Sequence, residues 1–450
     1  MFRRSPSKTW QASVTIDPGL RAERPVSRWL YGKFAEHLGS NIYNGMWSQV
    51  VRNPGFEPAR FYGGEERLTR RAEHIERRMG VRGIAAGLKA GLAFPWVPFG
   101  HGETRFALDR EGCHSETCQR IEVASVPQGS LAGMAQPICL PVHRVLTYDL
   151  SFVVHAKAGT SALRVQLRHN TPDGTVLAET LVRGLAQTWR RHDLSLAVSK
   201  GSVEPGDTVL LVFALGTAGL VWLDEVQLFP TDHVEGWDAD VVRLWREAKL
   251  PLLRYPGGNF VSGYHWRDGV GPREKRPTRF NRPWNQPEPN HVGTDEFIAF
   301  CRAVGCEPMI CVNAGDGTPD EAAAWVEYCN GGPDTKFGRL RAENGHPKPH
   351  DVRVWEMGNE LYGRWQIGHC SPDEYAERYE RFYRAVKAAD PSIHVVANGQ
   401  DLRWNKPLVT RKGAIVHSVS QHTLIGNALR DSRDAVGVFQ SLMAYPTAYA

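Results

Sequence analysis

The run Val352-Arg353-Val354-Trp355-Glu356-Met357, closed by Gly358 and followed at once by Asn359-Glu360, constrains the fold of this chain more than any other stretch. Short, apolar and rich in β-branched residues, it predicts a buried strand, and the glycine ends the pattern just before a polar pair. Similar units surround it: Leu252-Leu253-Arg254-Tyr255 running into Pro256-Gly257-Gly258-Asn259, Pro308 to Asn313, Ile393 to Asn398, and Ile415 to His422. Helical spacing separates them over Asp238 to Ala248, Thr294 to Val304, Pro319 to Cys329 and Asp373 to Ala389. Strand alternating with helix predicts an α/β protein with a parallel sheet, and so long a chain favours a closed barrel. The runner-up is an open doubly wound sheet; no Gly-x-Gly-x-x-Gly turn follows any of these strands, which counts against it.

The segment before the repeating units has a different texture. Trp29-Leu30-Tyr31-Gly32-Lys33-Phe34 predicts the first barrel strand, ending in Ala35-Glu36-His37. Ser13 to Asp17, closed by Pro18-Gly19, predicts a strand that pairs with something contributed from elsewhere. Glu65 to Arg82 is densely charged and reads as a helix or a connector. From Ala93 to Pro230 come short alternating runs, Leu146 to Val154, Leu163 to Arg168, Thr208 to Ala214 and Val221 to Leu228. Turns such as Pro172-Asp173-Gly174 and Glu204-Pro205-Gly206-Asp207 separate them. That pattern predicts an all-β sandwich inserted into the host domain. The expected division is 1–28, 29–65 (first barrel strand and loop), 66–235 (inserted sandwich) and 236–450 (barrel strands 2 to 6).

Composition narrows the function classes. The formal net charge of +5 is small against 54 Lys and Arg and 49 Asp and Glu, so nucleic acid is not indicated. No 18-residue uncharged apolar run and no leader pattern at Met1 to Gln11 occur, which suggests no membrane partner and a cytoplasmic chain as written; a start upstream of Met1 would leave an extracellular location open. The eight cysteines include no zinc-like spacing and read as buried free thiols, so neither metal nor cofactor is expected.

Polar residues recur where strands end: Glu36 with His37, Arg254 with Asn259, Asn313, Asn359 with Glu360, Asn398, and His422. Taken singly, Asn313 and Asn398 read equally well as loop caps. As a set they predict a polar pocket on one rim, where loops carry function without disturbing the core. Carboxylates, amides and nearby tryptophans, with no phosphate cradle, suit a sugar. Hydrolysis of a glycosidic bond needs two carboxyl groups across the anomeric carbon, about 5 Å apart in retaining enzymes. Glu360 is the candidate acid or base, Asn359 the candidate ligand of a ring hydroxyl. Glu36, three strands away round the ring, suits substrate binding better than attack.

Phe34-Ala35-Glu36-His37-Leu38-Gly39, Arg254 to Phe260 with Gly263 to Gly269, Gly293 to Phe297, Cys311-Val312-Asn313, Trp325 to Asn330, and Gly358-Asn359-Glu360 with Trp365 to His369 together resemble the α-L-arabinofuranosidases of glycoside hydrolase family 51. The likeness covers 29 to 65 and 236 to about 425. The inserted part resembles, more loosely, a carbohydrate-binding sandwich. The resemblance implies a (β/α)8 barrel, with a sandwich built from the C-terminal end plus the strand within 1–28. It also implies cofactor-free, retaining release of terminal L-arabinofuranosyl units from arabinan or arabinoxylan. Glu360 would be the acid/base, and Glu36, Arg254, Asn259, Asn359 and His422 would shape the pocket; Thr423-Leu424 stand where an aromatic is expected beside His422. Homo-oligomerisation of a full-length parent also stays open.

One departure matters. The family's nucleophile is a Glu after the seventh strand, and no Glu follows Glu380. At roughly 30 residues per strand-helix unit, Ile415 to His422 would be the sixth strand and Asp434 to Met443 its helix. The expectation is an incomplete barrel of strands 1 to 6 with open edges, truncated at its C-terminal end and with little or no activity. Two alternatives remain: a non-catalytic carbohydrate-binding protein, and another barrel glycosidase such as a xylosidase or endoglucanase.

Overall fold

The computed structural model describes residues 18–19, 25–170 and 174–422. The strand expected at Ser13 to Asp17, the helix at Asp434 to Met443, Thr423-Leu424 and most of the Pro172-Asp173-Gly174 turn lie outside these residues. Six parallel strands, Lys33–Phe34, Leu252–Tyr255, Glu307–Val312, Val354–Met357, His394–Ala397 and Ser418–Val419, lie side by side in chain order. With the helices between them they form an incomplete TIM barrel of strands 1 to 6.

Period-two alternation explains what each strand contributes. Leu252, Met309, Val354 and Val396 pack together as one apolar layer. Two residues further along their strands, Arg254, Cys311 and Glu356 meet one another as a polar layer. The intervening positions, among them Leu253, Tyr255, Ile310, Val312, Trp355 and Met357, face the helices and join a large aromatic core with Trp325, Tyr328, Tyr375 and Tyr379.

Local chemistry sets the helix ends. Thr318 accepts from the Glu321 N–H and Pro319 opens the helix Pro319–Asn330. Ser371 and Glu374 cap one another at the start of Pro372–Ala389. Leu252–Tyr255 and Thr294–Val304 have the bounds their sequence predicts.

Other expectations need correction. Trp29 to Phe34 is not one strand: Arg28–Tyr31 is a 3-10 turn and only Lys33–Phe34 pairs, on one side, with Leu253 and Arg254. With no partner on its other edge among the described residues, the run has half a ladder, and Leu30 stands 76% exposed. The same holds at the far edge, where Ile415 to His422 reduces to a 3-10 turn and the two-residue strand Ser418–Val419. The Pro-rich stretch Trp266 to Asn290, outside the expected strand-helix units, contains the hairpin Arg279–Asn281 with Gln286–Glu288. Three helices that the sequence patterning does not indicate are Ile84–Lys89, Lys336–Glu343 and Leu402–Lys412, the last carrying Pro407 within it.

The all-β part is a sandwich of two five-stranded antiparallel sheets. Trp96, Phe152, Val165, Phe213 and Leu223 lie between them. The helix Glu65–Met79, one of the two options for that charged segment, covers the outer face of one sheet through Leu68, Ala72 and Ile75 against Ala135, Leu210 and Val212. A strand so covered on both faces reads as a continuous apolar run, as Thr208–Leu215 does after its first residue.

The chain enters and leaves the sandwich side by side. Val50 N–H donates to Leu228 O and Val226 N–H to Pro54 O, each at 3.0 Å. Arg144 ties Asp232 and Asp238 at 2.7 and 2.5 Å. At this junction Glu57, Asp224 and Glu225 are buried together. Burial pushes the Glu57 carboxyl up to about 7, with Thr278 acting the other way. Burial likewise pushes Asp224 and Glu225 upward. Among the described residues no helix is long and apolar enough to cross a membrane.

Candidate active site

The fourth barrel strand ends in a tight bend. Gly358 (φ +86°) and Glu360 (φ +48°) both adopt left-handed backbone. A Cβ on Gly358 would stand 2.8 Å from the Leu361 side chain and 3.0 Å from Ala314. For a glutamate such a φ costs about 1–3 kcal/mol and persists only where neighbours impose it. Here Asn398, at the end of the fifth strand, accepts the Leu361 N–H through Oδ1 at 3.0 Å, while its own N–H donates to Tyr375 Oη at 2.6 Å. Asn398 thus anchors the bend that presents Glu360.

The Glu360 carboxylate is half-buried, with Oε1 2.9 Å from His422 Nδ1. That hydrogen bond holds its carboxyl below the usual carboxylate range against the opposing effect of burial, with Trp365 and Arg254 adding smaller shifts the same way. The ring of Trp365 is 64% exposed.

Arg254 organises the next group. Its Nε donates to Glu356 Oε2, and its Nη2 to Asn359 Oδ1 at 2.8 Å and Cys311 Sγ at 3.5 Å. Burial alone would lower the pKa of its guanidinium, but Glu356 more than offsets this and raises it above its ordinary value. Because Arg254 occupies Asn359 Oδ1, the amide nitrogen is left as the uncommitted donor. Asn359 Nδ2 and Glu356 Oε1 are buried without a hydrogen-bond partner among the described residues. Each such group costs about 1–3 kcal/mol unless something arrives to satisfy it.

Glu36 is buried at the end of the first strand, where Oε1 accepts from Phe260 N–H at 3.0 Å and Trp284 Nε1 at 2.8 Å. The glycine pair makes this approach feasible: a Cβ on Gly257 (φ +87°) would stand 2.5 Å from Ala35 O, and one on Gly258 2.8 Å from Glu36 Oε2. Asn259 follows on the 3-10 turn Asn259–Gly263, partly exposed.

Two of the polar strand ends turn inward instead. His37 is buried, with Nδ1 2.6 Å from Glu288 and Nε2 3.1 Å from Tyr255 Oη. Asn313 is consumed by its own loop, accepting from Gly315 and Asp316 N–H and donating to Asp316 Oδ1 at 2.8 Å; the loop-cap alternative describes it.

Glu356, Cys311, Trp284 and Trp365 are not among the candidate site residues of the sequence reading, although Cys311 and Trp365 lie in motifs that carry the resemblance. A signal for Glu356 was there: it has the parity of Val354, so a charge at that position faces inward. Among the described residues no cluster of His, Cys, Asp and Glu is arranged to hold a metal ion. A cavity of about 910 Å3 lies beside this site, lined by Phe260, Tyr264, Phe280, Asn281 and Pro283 among others, but not by Glu360, Arg254 or Glu36.

Residues 245–428 match the alpha-L-arabinofuranosidase 1 domain. The alpha-L-arabinofuranosidase C of Emericella nidulans is 45% identical over 191 residues, 42% of this chain and 38% of that protein. An intracellular exo-alpha-(1->5)-L-arabinofuranosidase of Acetivibrio thermocellus is 40% identical over 207 residues, covering 44% and 41%. This chain therefore spans less than half the length of these curated relatives. The arabinose-bound structure of the α-L-arabinofuranosidase MgGH51 superposes with a TM-score of 0.64 at 23% identity, over 82% of this chain and 58% of that one, a likeness of fold.

Proposed function

We propose, from the match of residues 245–428 to the alpha-L-arabinofuranosidase 1 domain, that the Glu360 site is the acid side of a retaining glycoside hydrolase. Its substrates would be arabinan- or arabinoxylan-type chains carrying terminal α-L-arabinofuranosyl residues. The observation that carries this is the clamped pair at the fourth strand end: Arg254 directs the Asn359 amide, and the neighbouring Glu360 carboxylate faces His422.

In the first half of such a reaction Glu360 protonates the leaving oxygen, and in the second it takes a proton from water. A donor must carry its proton when substrate is bound, whereas His422 favours the carboxylate. A negatively charged carboxylate across the sugar would reverse that preference, since like charges disfavour one another's ionised forms. The unsatisfied Asn359 Nδ2 would donate to a sugar hydroxyl, a hydrogen bond that tightens as charge develops. Glu36, held by Phe260 and Trp284, would accept from another hydroxyl, and Asn259 would stand at the mouth. The exposed Trp365 ring offers a face to the departing sugar.

The nucleophile that the resemblance implies, after a seventh strand, is not among the described residues. For the 450-residue polypeptide alone, little or no release of arabinose from a nitrophenyl α-L-arabinofuranoside is therefore expected. Turnover that Glu360→Ala abolishes would overturn this while supporting the role of Glu360; turnover indifferent to Glu360→Ala would overturn that role as well. A cytoplasmic location is supported by the name of the Acetivibrio relative and by eight free thiols.

A further inference from the structure

We propose that the cavity beside the Glu360 site is a second carbohydrate site, built for a linear, uncharged pentose oligosaccharide: the main chain from which the arabinose in the catalytic cup would branch. The choice of sugar rests on the arabinofuranosidase reading; the existence of the site rests on the cavity itself.

Its volume, about 910 Å3, is that of a pocket for several sugar rings. Segments from three strand ends enclose it: the 3-10 turns Asn259–Gly263 and Trp266–Gly269 with the hairpin at 279–288, the Asp316 to Glu321 stretch, and Ile367. One wall is shared with the cup. Glu36 Oε1 holds both Phe260 N–H and Trp284 Nε1, and Phe260 and Pro283 line the cavity on its other side. A polymer bound in the cavity would thus lie one side chain away from the residues that hold the branch.

Two features select a sugar. Asn281 is 2% exposed, its Nδ2 is committed to His37 O at 2.6 Å, and its Oδ1 is buried without a partner among the described residues. That orphan acceptor calls for a hydroxyl donor, at a cost of about 1–3 kcal/mol if it stays empty. Beside it Phe280 stands 40% exposed, an apolar face of the kind a pyranose ring covers.

The lining charges are answered locally, which selects an uncharged ligand. Arg279 pairs with Asp268 at 2.8 Å and His265 with Glu321 at 2.9 Å. Arg267 and Lys336 lie over the Phe337 ring at 4.8 and 5.1 Å. Arg282 and Asp320 contribute opposite signs to the lining. A uronic-acid chain would find no surplus of cations here.

Calorimetric titration of the full chain with xylohexaose, linear arabinohexaose and free L-arabinose tests this. At least one hexasaccharide should bind, and Phe280→Ala should weaken it about tenfold while leaving arabinose affinity unchanged. Asn359→Ala should do the reverse, weakening arabinose and sparing xylohexaose. Failure of both hexasaccharides to bind, or hexasaccharide affinity indifferent to Phe280→Ala, would overturn the second site. Loss of arabinose binding alone would instead count against the arabinofuranosidase reading. Tighter binding of an oligogalacturonate than of either pentose chain would overturn the uncharged ligand.

Discussion

The barrel and the barrel–sandwich junction both bury carboxylates, and they treat them in opposite ways. In the barrel, Glu356 meets Arg254, and Asp295 meets His350 Nε2 at 2.9 Å and Tyr328 Oη at 2.8 Å. Burial alone would raise the Asp295 carboxyl, yet the His350 contact brings it below its ordinary value. At the junction neither Glu57 oxygen meets a partner at hydrogen-bonding geometry, and burial pushes that carboxyl up to about 7. Burial alone therefore does not decide whether a carboxyl group is charged, and neither does a neutral donor: Asp224 accepts from Cys113 N–H at 2.7 Å and Ser115 Oγ at 2.8 Å and is still pushed upward, whereas His350 brings Asp295 down. The barrel sets Arg254 or His350 against its buried carboxylates, while at the junction burial pushes Glu57, Asp224 and Glu225 upward.

The sharpest way to break this contrast is to remove the partner in the barrel. Arg254→Met leaves Glu356 buried and unpaired, and stability measured by urea unfolding should fall by about 3–5 kcal/mol. Adding Glu356→Gln should restore part of that loss; a double variant no better than the single one would mean that Arg254 matters for packing rather than for charge.

At the junction the corresponding change should act the other way. The folded-state pKa of Glu57 lies above its unfolded value, so its contribution is fully present below about 4.5 and is lost as pH rises through about 7. Glu57→Gln should therefore raise stability at pH 8, by on the order of 3 kcal/mol at most, and change little at pH 4. Equal effects at the two pH values would place the proton elsewhere.

A smaller effect is expected at Glu360. His422→Ala removes the chief influence lowering its pKa and leaves burial as the main remaining one. A carboxyl-carbon NMR titration should then show the Glu360 midpoint move upward. An unmoved midpoint would mean that the 2.9 Å contact with His422 does not govern its charge in solution.

How far these features were legible in the chain varies with range. Helix Thr294–Val304 and strand Leu252–Tyr255 follow from local patterning, since spacing and caps suffice. Four of the ten described sandwich strands are legible in the sequence; of the six that are not, Glu103–Asp109 and Arg190–Ala197 carry charged, partly exposed residues that blur the alternation. The hairpin Arg279–Asn281 with Gln286–Glu288 hid behind prolines, and its Asn281 is buried only because His37, from the first strand, lies against it. Trp365 belonged to a recognised motif, yet its exposure beside Glu360 depends on how the following loop is laid down.

Patterning of apolar and polar residues along the chain specified the alternating units, the inserted sandwich and the polar strand ends, because periodicity is a local property of neighbouring side chains. It left open which strand ends share a site. Arg254 meets Asn359 across 105 positions and Trp284 meets Glu36 across 248. Such pairings exist only once the sheet has curled and the loops have closed over it, so packing alone assigned Asn313 to its own loop and Asn398 to the bend that carries Glu360.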